Sequence, residues 1–256
     1  MTRCPCGAFS FVRMADRPPG ARSGLFRRFV LEDQKRWIAK RRLYEEPVPY
    51  FPESDFDMAT IDFWYSIGST YSYLTVMRLP ELAQATGMTF RWRPFNVRHV
   101  MVQQNNVPFK DKPVKAAYMW RDIERRADGY GLHPVIPAPY PLPELVFANQ
   151  VAMLGCREGW GEDYTRATYR RWFEAGQPPG EDPNLSESLA EIGQDPARVV
   201  ETARSDAVAE ALAQATEEAM GLGVFGSPTF VVGKEVFWGD DRLDDAIAWA
   251  QSRARD

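Results

Sequence analysis

The sequence predicts an α/β protein whose small β-sheet is interrupted by a large all-α insertion. Three observations predict it. A β-rich apolar run, Ile61, Phe63, Trp64, Tyr65 and Ile67, gives way at once to helical spacing at Leu74, Val76 and Leu79. The stretch 98–212 then shows helical patterns and glycine breaks but no convincing strand. Alternation returns at Pro228-Thr-Phe-Val-Val232 and Glu235-Val-Phe-Trp238, which Gly233-Lys234 joins as a tight hairpin turn.

Residues 1–57 differ in character from the rest of the chain. Basic residues crowd Arg22 to Arg42, and Pro18, Pro19, Pro47, Pro49 and Pro52 punctuate the segment. It lacks the apolar core of a secretory signal. The expected reading is a poorly ordered extension, or a start placed too early with the true one at Met58; a transit peptide or a partner helix (Leu25, Phe29, Ile38, Leu43) is the alternative.

From Met58 the order becomes regular. The first strand is expected over 60–67 and the first helix over 70–86, with Ser69 as N-cap and Gly87 as C-cap. Residues 88–95 alternate and form a second strand parallel to the first, through a right-handed crossover. Helices are expected over 112–130, 145–157, 164–174, from Asn184 (with Glu187 completing a capping box), 197–204 and 207–222, with 134–143 a proline-rich connector. Gly239-Asp-Asp caps a last helix from Arg242 to about Arg253. The sheet domain is thus drawn as 58–97 plus 213–256, with 98–212 as the inserted helical domain.

Composition excludes several functions. The chain has 256 residues, 45% hydrophobic and 26% charged, as in an ordinary globular protein. A net charge of −4 argues against nucleic acid and anionic membrane as partners, and no apolar run is long enough to span a bilayer. Cys4 and Cys6 are too close to staple a fold and Cys156 has no obvious partner, so a reducing, cytoplasmic setting is expected. His99 and His133 stand apart without companion cysteines, which gives no metal spacing.

A strand running into a helix N-terminus gathers free N–H groups and the positive end of the helix dipole at one point, here Ser69. The order β-α-β, helices, β-β-α, the Gly226-Ser227-Pro228 segment before the third strand, and Trp238-Gly-Asp-Asp-Arg-Leu243 before the last helix together carry a resemblance. The chain resembles the 2-hydroxychromene-2-carboxylate isomerase and kappa-class glutathione transferase family, a thioredoxin-like fold with a helical insertion, over about residues 60–253. In that fold Ser69-Thr-Tyr-Ser72 occupies the slot where redox members carry Cys-x-x-Cys, so disulfide exchange is not expected: it needs an attacking thiolate there.

The resemblance implies glutathione as cofactor and Ser69 as the catalytic residue, donating a hydrogen bond to the cofactor sulfur. Thr70 replaces the family's usual proline. A thiol of pKa about 8.5 is only slightly ionised at neutral pH, and a shift of about two units, roughly 2.7 kcal/mol, would ionise most of it. Ser69 as a plain helix cap is the alternative. Ser227 and Pro228 are expected to present main chain to glutathione across a cis bond, with Ser227 departing from the family's common valine. Asp240 and Asp241 are expected at the γ-glutamyl amine, with helix capping as the other reading. Asn106 is implied at glutathione or the substrate, and Lys115 and Tyr118 at the substrate; Arg121 is a weaker anion contact, and Trp92, Phe95, Tyr118 and Trp120 form a ring-accepting wall or simply core. The implied activity is glutathione-dependent isomerisation of a small aromatic carboxylate. Glutathione transfer and non-catalytic binding are the alternatives, and relatives are commonly homodimers.

Overall fold

The computed structural model describes residues 60–253 apart from 108 and 110; the expectations for 1–57 lie outside the described residues. Four strands form one sheet in the order β2-β1-β3-β4. β1 (Thr60–Tyr65) pairs in parallel with β2 (Thr89–Pro94), in a register that sets Thr60 against Thr89 and Tyr65 against Pro94. β3 (Thr229–Val232) lies antiparallel to β1 and to β4 (Glu235–Trp238), the expected hairpin. The first strand stops at Tyr65 rather than 67, because Ser66 to Ser69 turn the chain into α1 (Thr70–Thr86).

Period-two alternation makes β1 central. Ile61, Phe63 and Tyr65 join Phe230, Val232, Leu74, Val76, Leu243 and Ala246 in the main core. Trp64 points the other way, into a second cluster with Phe95, Val97, Val100, Ala219, Val224 and Val231. All four β1 residues are fully buried, and burying an aromatic side chain of this kind contributes on the order of 1.5–3 kcal/mol. The strand therefore sits between two apolar layers and cannot slip by one residue without exchanging them.

The remaining helices are α2 (Val97–Gln103), α3 (Pro113–Gly129), α4 (Leu145–Glu158), α5 (Gly161–Ala175), α6 (Asn184–Glu191), α7 (Pro196–Ala203), α8 (Asp206–Gly221) and α9 (Leu243–Arg253), the last preceded by a 3-10 turn over Asp240–Arg242. α2 is not among the helices expected from the sequence. It is short, but the Asn96 side chain caps it by accepting from the His99 N–H at 3.2 Å. The boundary drawn at 212/213 falls inside α8. The capping box at Asn184 is not formed. Asn184 is buried within α6, where its amide bonds the Thr168 hydroxyl at 2.7 Å and the Gln177 carbonyl at 2.8 Å. Tertiary partners outcompete the local cap.

Candidate active site

The turn Ser66–Ser69 is built largely by the helical insertion. The buried Asn149 side chain of α4 brackets Ile67 as a neighbouring strand would: its Oδ1 accepts the Ile67 N–H at 2.8 Å and its Nδ2 donates to the Ile67 carbonyl at 2.8 Å. The Tyr169 hydroxyl of α5 shares its proton between the Ser66 and Ser69 carbonyls at 3.0 and 3.1 Å. Burial raises the Tyr169 pKa, which keeps this hydroxyl a donor. Gly68 at φ +125° completes the turn, and a Cβ there would strike the Leu145 side chain. None of these partners belongs to the strand or helix that the turn connects.

Ser69 stands at the N-cap of α1 (φ −83°, ψ 118°), yet its side chain makes no capping bond. The hydroxyl instead donates to the Ser227 carbonyl at 2.7 Å. A simple cap is therefore not what this side chain does. Ser227-Pro228 is cis, and the Ser227 hydroxyl accepts the Ser66 N–H at 2.9 Å and bonds the Ser72 hydroxyl at 2.9 Å. A valine in place of Ser227 could make neither bond, so this departure from the family pattern ties the proline loop to the start of α1. The Pro228 carbonyl accepts the Gly239 N–H at 2.9 Å and so anchors the hairpin's far end.

Ser69 opens onto a cavity of about 430 Å³, within the usual range for a small-molecule site, about 300–1,000 Å³. Of the residues expected at the site, Ser69, Asn106, Lys115, Tyr118 and Ser227 line it. Pro228, Asp240 and Asp241 are not among its lining residues. Asp240 is buried and saturated: its Oδ1 accepts from the Thr75 hydroxyl at 2.9 Å and Arg78 at 3.4 Å, its Oδ2 from Arg126 at 2.6 Å and the Tyr130 hydroxyl at 3.3 Å. This carboxylate joins α1, α3 and the last helix. Asp241 lies at the surface against Arg242, at 3.2 Å. Arg121 pairs with Glu124 on the exposed face of α3. The expected aromatic wall is mostly core: Trp92, Phe95 and Trp120 pack inside, and only Tyr118 of that set faces the cavity.

Arg98, Tyr140 and Phe225, which no sequence pattern singled out, also line the cavity, as do Tyr71 and Trp238 from the motifs at 69–72 and 238–243. Phe225 and Trp238 pack at 4.8 Å between ring centroids and remain 43% and 53% exposed, so they form an aromatic lip. Gly226 makes that lip possible, because a Cβ at this position would run into the Trp238 indole. Gly226→Ala is expected to displace Trp238 and destabilise the fold by about 1–3 kcal/mol. Tryptophan fluorescence and a thermal melt check this; an unchanged emission maximum and melt would dissociate Gly226 from the lip.

The cavity's charge is one-sided. Arg98 and Lys115 line it, and none of its described lining residues is Asp or Glu. The N-terminus of the 17-residue α1 adds partial positive charge beside Ser69. The lone described cysteine, Cys156, lies elsewhere, next to the Tyr65 hydroxyl at 3.8 Å, and burial pushes its thiol up to about 11. The catalytic slot of a disulfide oxidoreductase is thus filled by serine, with no reactive thiol among the described residues nearby. A second cavity, about 150 Å³ between α2, α4 and α8, is small for a ligand. Among the described residues no helix is long and apolar enough to cross a membrane, and no cluster of His, Cys, Asp or Glu has the makings of a metal site.

Sheet order, proline loop and helical insertion define a DsbA-like thioredoxin domain, and the family model of that description matches residues 60–247. The chain is 32% identical over 190 residues to a 2-hydroxychromene-2-carboxylate isomerase of Pseudomonas putida, covering 72% of this chain and 90% of that one. It is 26% identical over 197 residues to glutathione S-transferase kappa 1 of Caenorhabditis elegans, covering 72% and 87%. A solved 2-hydroxychromene-2-carboxylate isomerase superposes with a TM-score of 0.69 at 28% identity, over 77% of this chain and 96% of that one. The chain belongs to the DsbA-like thioredoxin family, in the group that unites 2-hydroxychromene-2-carboxylate isomerases with kappa-class glutathione transferases.

Proposed function

We propose that the protein is a glutathione-dependent isomerase acting on a small conjugated aromatic carboxylate. The observation that carries this reading is the Ser69 hydroxyl, freed from capping, at a cationic cavity where redox relatives would need cysteine. The residues fit glutathione: two glycine-dependent close approaches shape the cradle at Gly68 and Gly226, and the charge favours an anion. Bound glutathione would supply a thiol whose ionised form is a nucleophile for reversible addition to a conjugated double bond.

The protein's own residues do the rest. The Ser69 proton rests on the Ser227 carbonyl, and turning it towards a sulfur gives up one hydrogen bond of about 1 kcal/mol. A charge-assisted bond to a thiolate is roughly twice as strong, so rotation is favourable only once the sulfur is ionised. The hydroxyl and the α1 dipole therefore stabilise the anion over the thiol. Ser227 and Gly226 offer main chain to the cofactor, and Asn106 a side-chain amide. Asp240 is saturated and Asp241 lies off the cavity wall against Arg242, so neither carboxylate is assigned to the γ-glutamyl amine. Lys115 and Tyr118 line the same cavity.

The decisive assay monitors glutathione and a benzylidene-pyruvate type substrate together. Isomerisation that requires glutathione and leaves its concentration unchanged supports the reading. Stoichiometric consumption would make the protein a transferase, and no heat of binding at millimolar glutathione would leave only a binding protein.

A further inference from the structure

We propose that Arg98 is the specificity-determining residue that holds the carboxylate of the aromatic substrate. Resting on the glutathione-dependent isomerase reading, this assigns the cavity's second ligand to one side chain. Arg98 enters from the first turn of α2, next to Val97, which is buried in the second core cluster, so packing fixes the helix that carries it. The residue is only partly exposed and has no carboxylate partner among the described residues. A guanidinium facing a cavity with no described acidic wall has its fork of donors available for a planar anion. Tyr140 lines the same cavity and feels the Arg98 charge, which opposes the upward push of burial on its hydroxyl.

Lys115 is the competing cation, and two differences favour Arg98. Lys115 sits on an exposed face of α3, where water screens its charge. Its ammonium is a point charge on a flexible stem, whereas a guanidinium takes both carboxylate oxygens at once. The apolar side chains Val97, Met101 and Phe225 line the same cavity, so a ligand bound there would keep its rings out of water while its carboxylate meets the guanidinium.

The probes are trans-cinnamate and its uncharged counterpart trans-cinnamamide, titrated calorimetrically into the full-length protein without glutathione. Wild type is expected to prefer the carboxylate by about tenfold to hundredfold, the effect of one charged hydrogen-bonded pair. Arg98→Gln should abolish the preference with cinnamamide affinity unchanged, Arg98→Lys should restore part of it, and Lys115→Gln should reduce it by less than Arg98→Gln does. A thermal melt and circular dichroism establish that each variant is folded. Equal or absent binding of the two probes to wild type, or a preference that survives in Arg98→Gln or vanishes only in Lys115→Gln, would overturn the proposal. Glutathione titrated in the same series separates the two readings. A carboxylate preference that depends on Arg98 without any glutathione binding would sustain Arg98 and remove glutathione from the function.

Discussion

Ser69→Ala is expected to lower kcat/KM for isomerisation by about 100- to 1,000-fold, the usual consequence of deleting one donor aimed at a developing anion. The same substitution should barely change stability. The side chain makes no cap bond and loses only its contact with the Ser227 carbonyl, about 1 kcal/mol. The pH profile gives a sharper readout. On the proposed mechanism Ser69 stabilises the ionised sulfur, and so it should lower the pH at which bound glutathione gives up its proton. Activity in wild type should be full above that pH and lost as pH falls through it. In Ser69→Ala the loss should begin about one to two units higher, and raising the pH should recover part of the rate. An activity drop with an unmoved profile would mean that Ser69 positions the ligand and does not activate it. Full activity in the variant would remove Ser69 from the mechanism.

Much of this site is legible in the sequence because its framing residues signal locally. Ser69 and Gly87 bracket α1, and the helix runs over the expected residues 70–86. The β3–β4 hairpin follows from strict alternation around Gly233-Lys234. The missing pieces depend on contacts between distant segments. α2 spans only seven residues, too few for periodicity alone to mark Arg98 as part of an element. A better signal is Asn96 ahead of the spaced Val97 and Val100. Asn149 sits among Phe147, Ala148, Val151 and Ala152 on a buried helix, where a polar side chain has to find a partner. Sequence can flag that need but cannot identify Ile67 as the partner, 82 positions away. The two aspartates at the last helix divide differently from the expectation. Asp240 is drawn into a buried ionic cluster by Arg78 and Arg126, basic residues whose convergence no local pattern announces.

Asn149→Ala should be the most damaging single change outside the cavity. It leaves the Ile67 N–H and carbonyl unpaired at a residue with no exposed surface. Each stranded group costs about 1–3 kcal/mol, so a loss of about 3–5 kcal/mol is expected, with a fall in Tm of about 10 °C for a domain of this size. A melt within about 2 °C of wild type would show that water replaces the amide without penalty and that the bracket is dispensable. Activity should suffer beyond what unfolding explains. Measured well below the variant's Tm, kcat should still drop, because Ser69 lies two residues after Ile67 and depends on the same turn. Tyr169 holds the other side of that turn, so some order survives and the variant should remain partly active. Asn149 and Tyr169 both come from the helices between β2 and β3, whereas Ser69 belongs to the β-α-β unit. The insertion therefore aims the serine as well as walling the cavity, and shortening it while keeping the thioredoxin-like sheet should abolish activity before it abolishes the sheet.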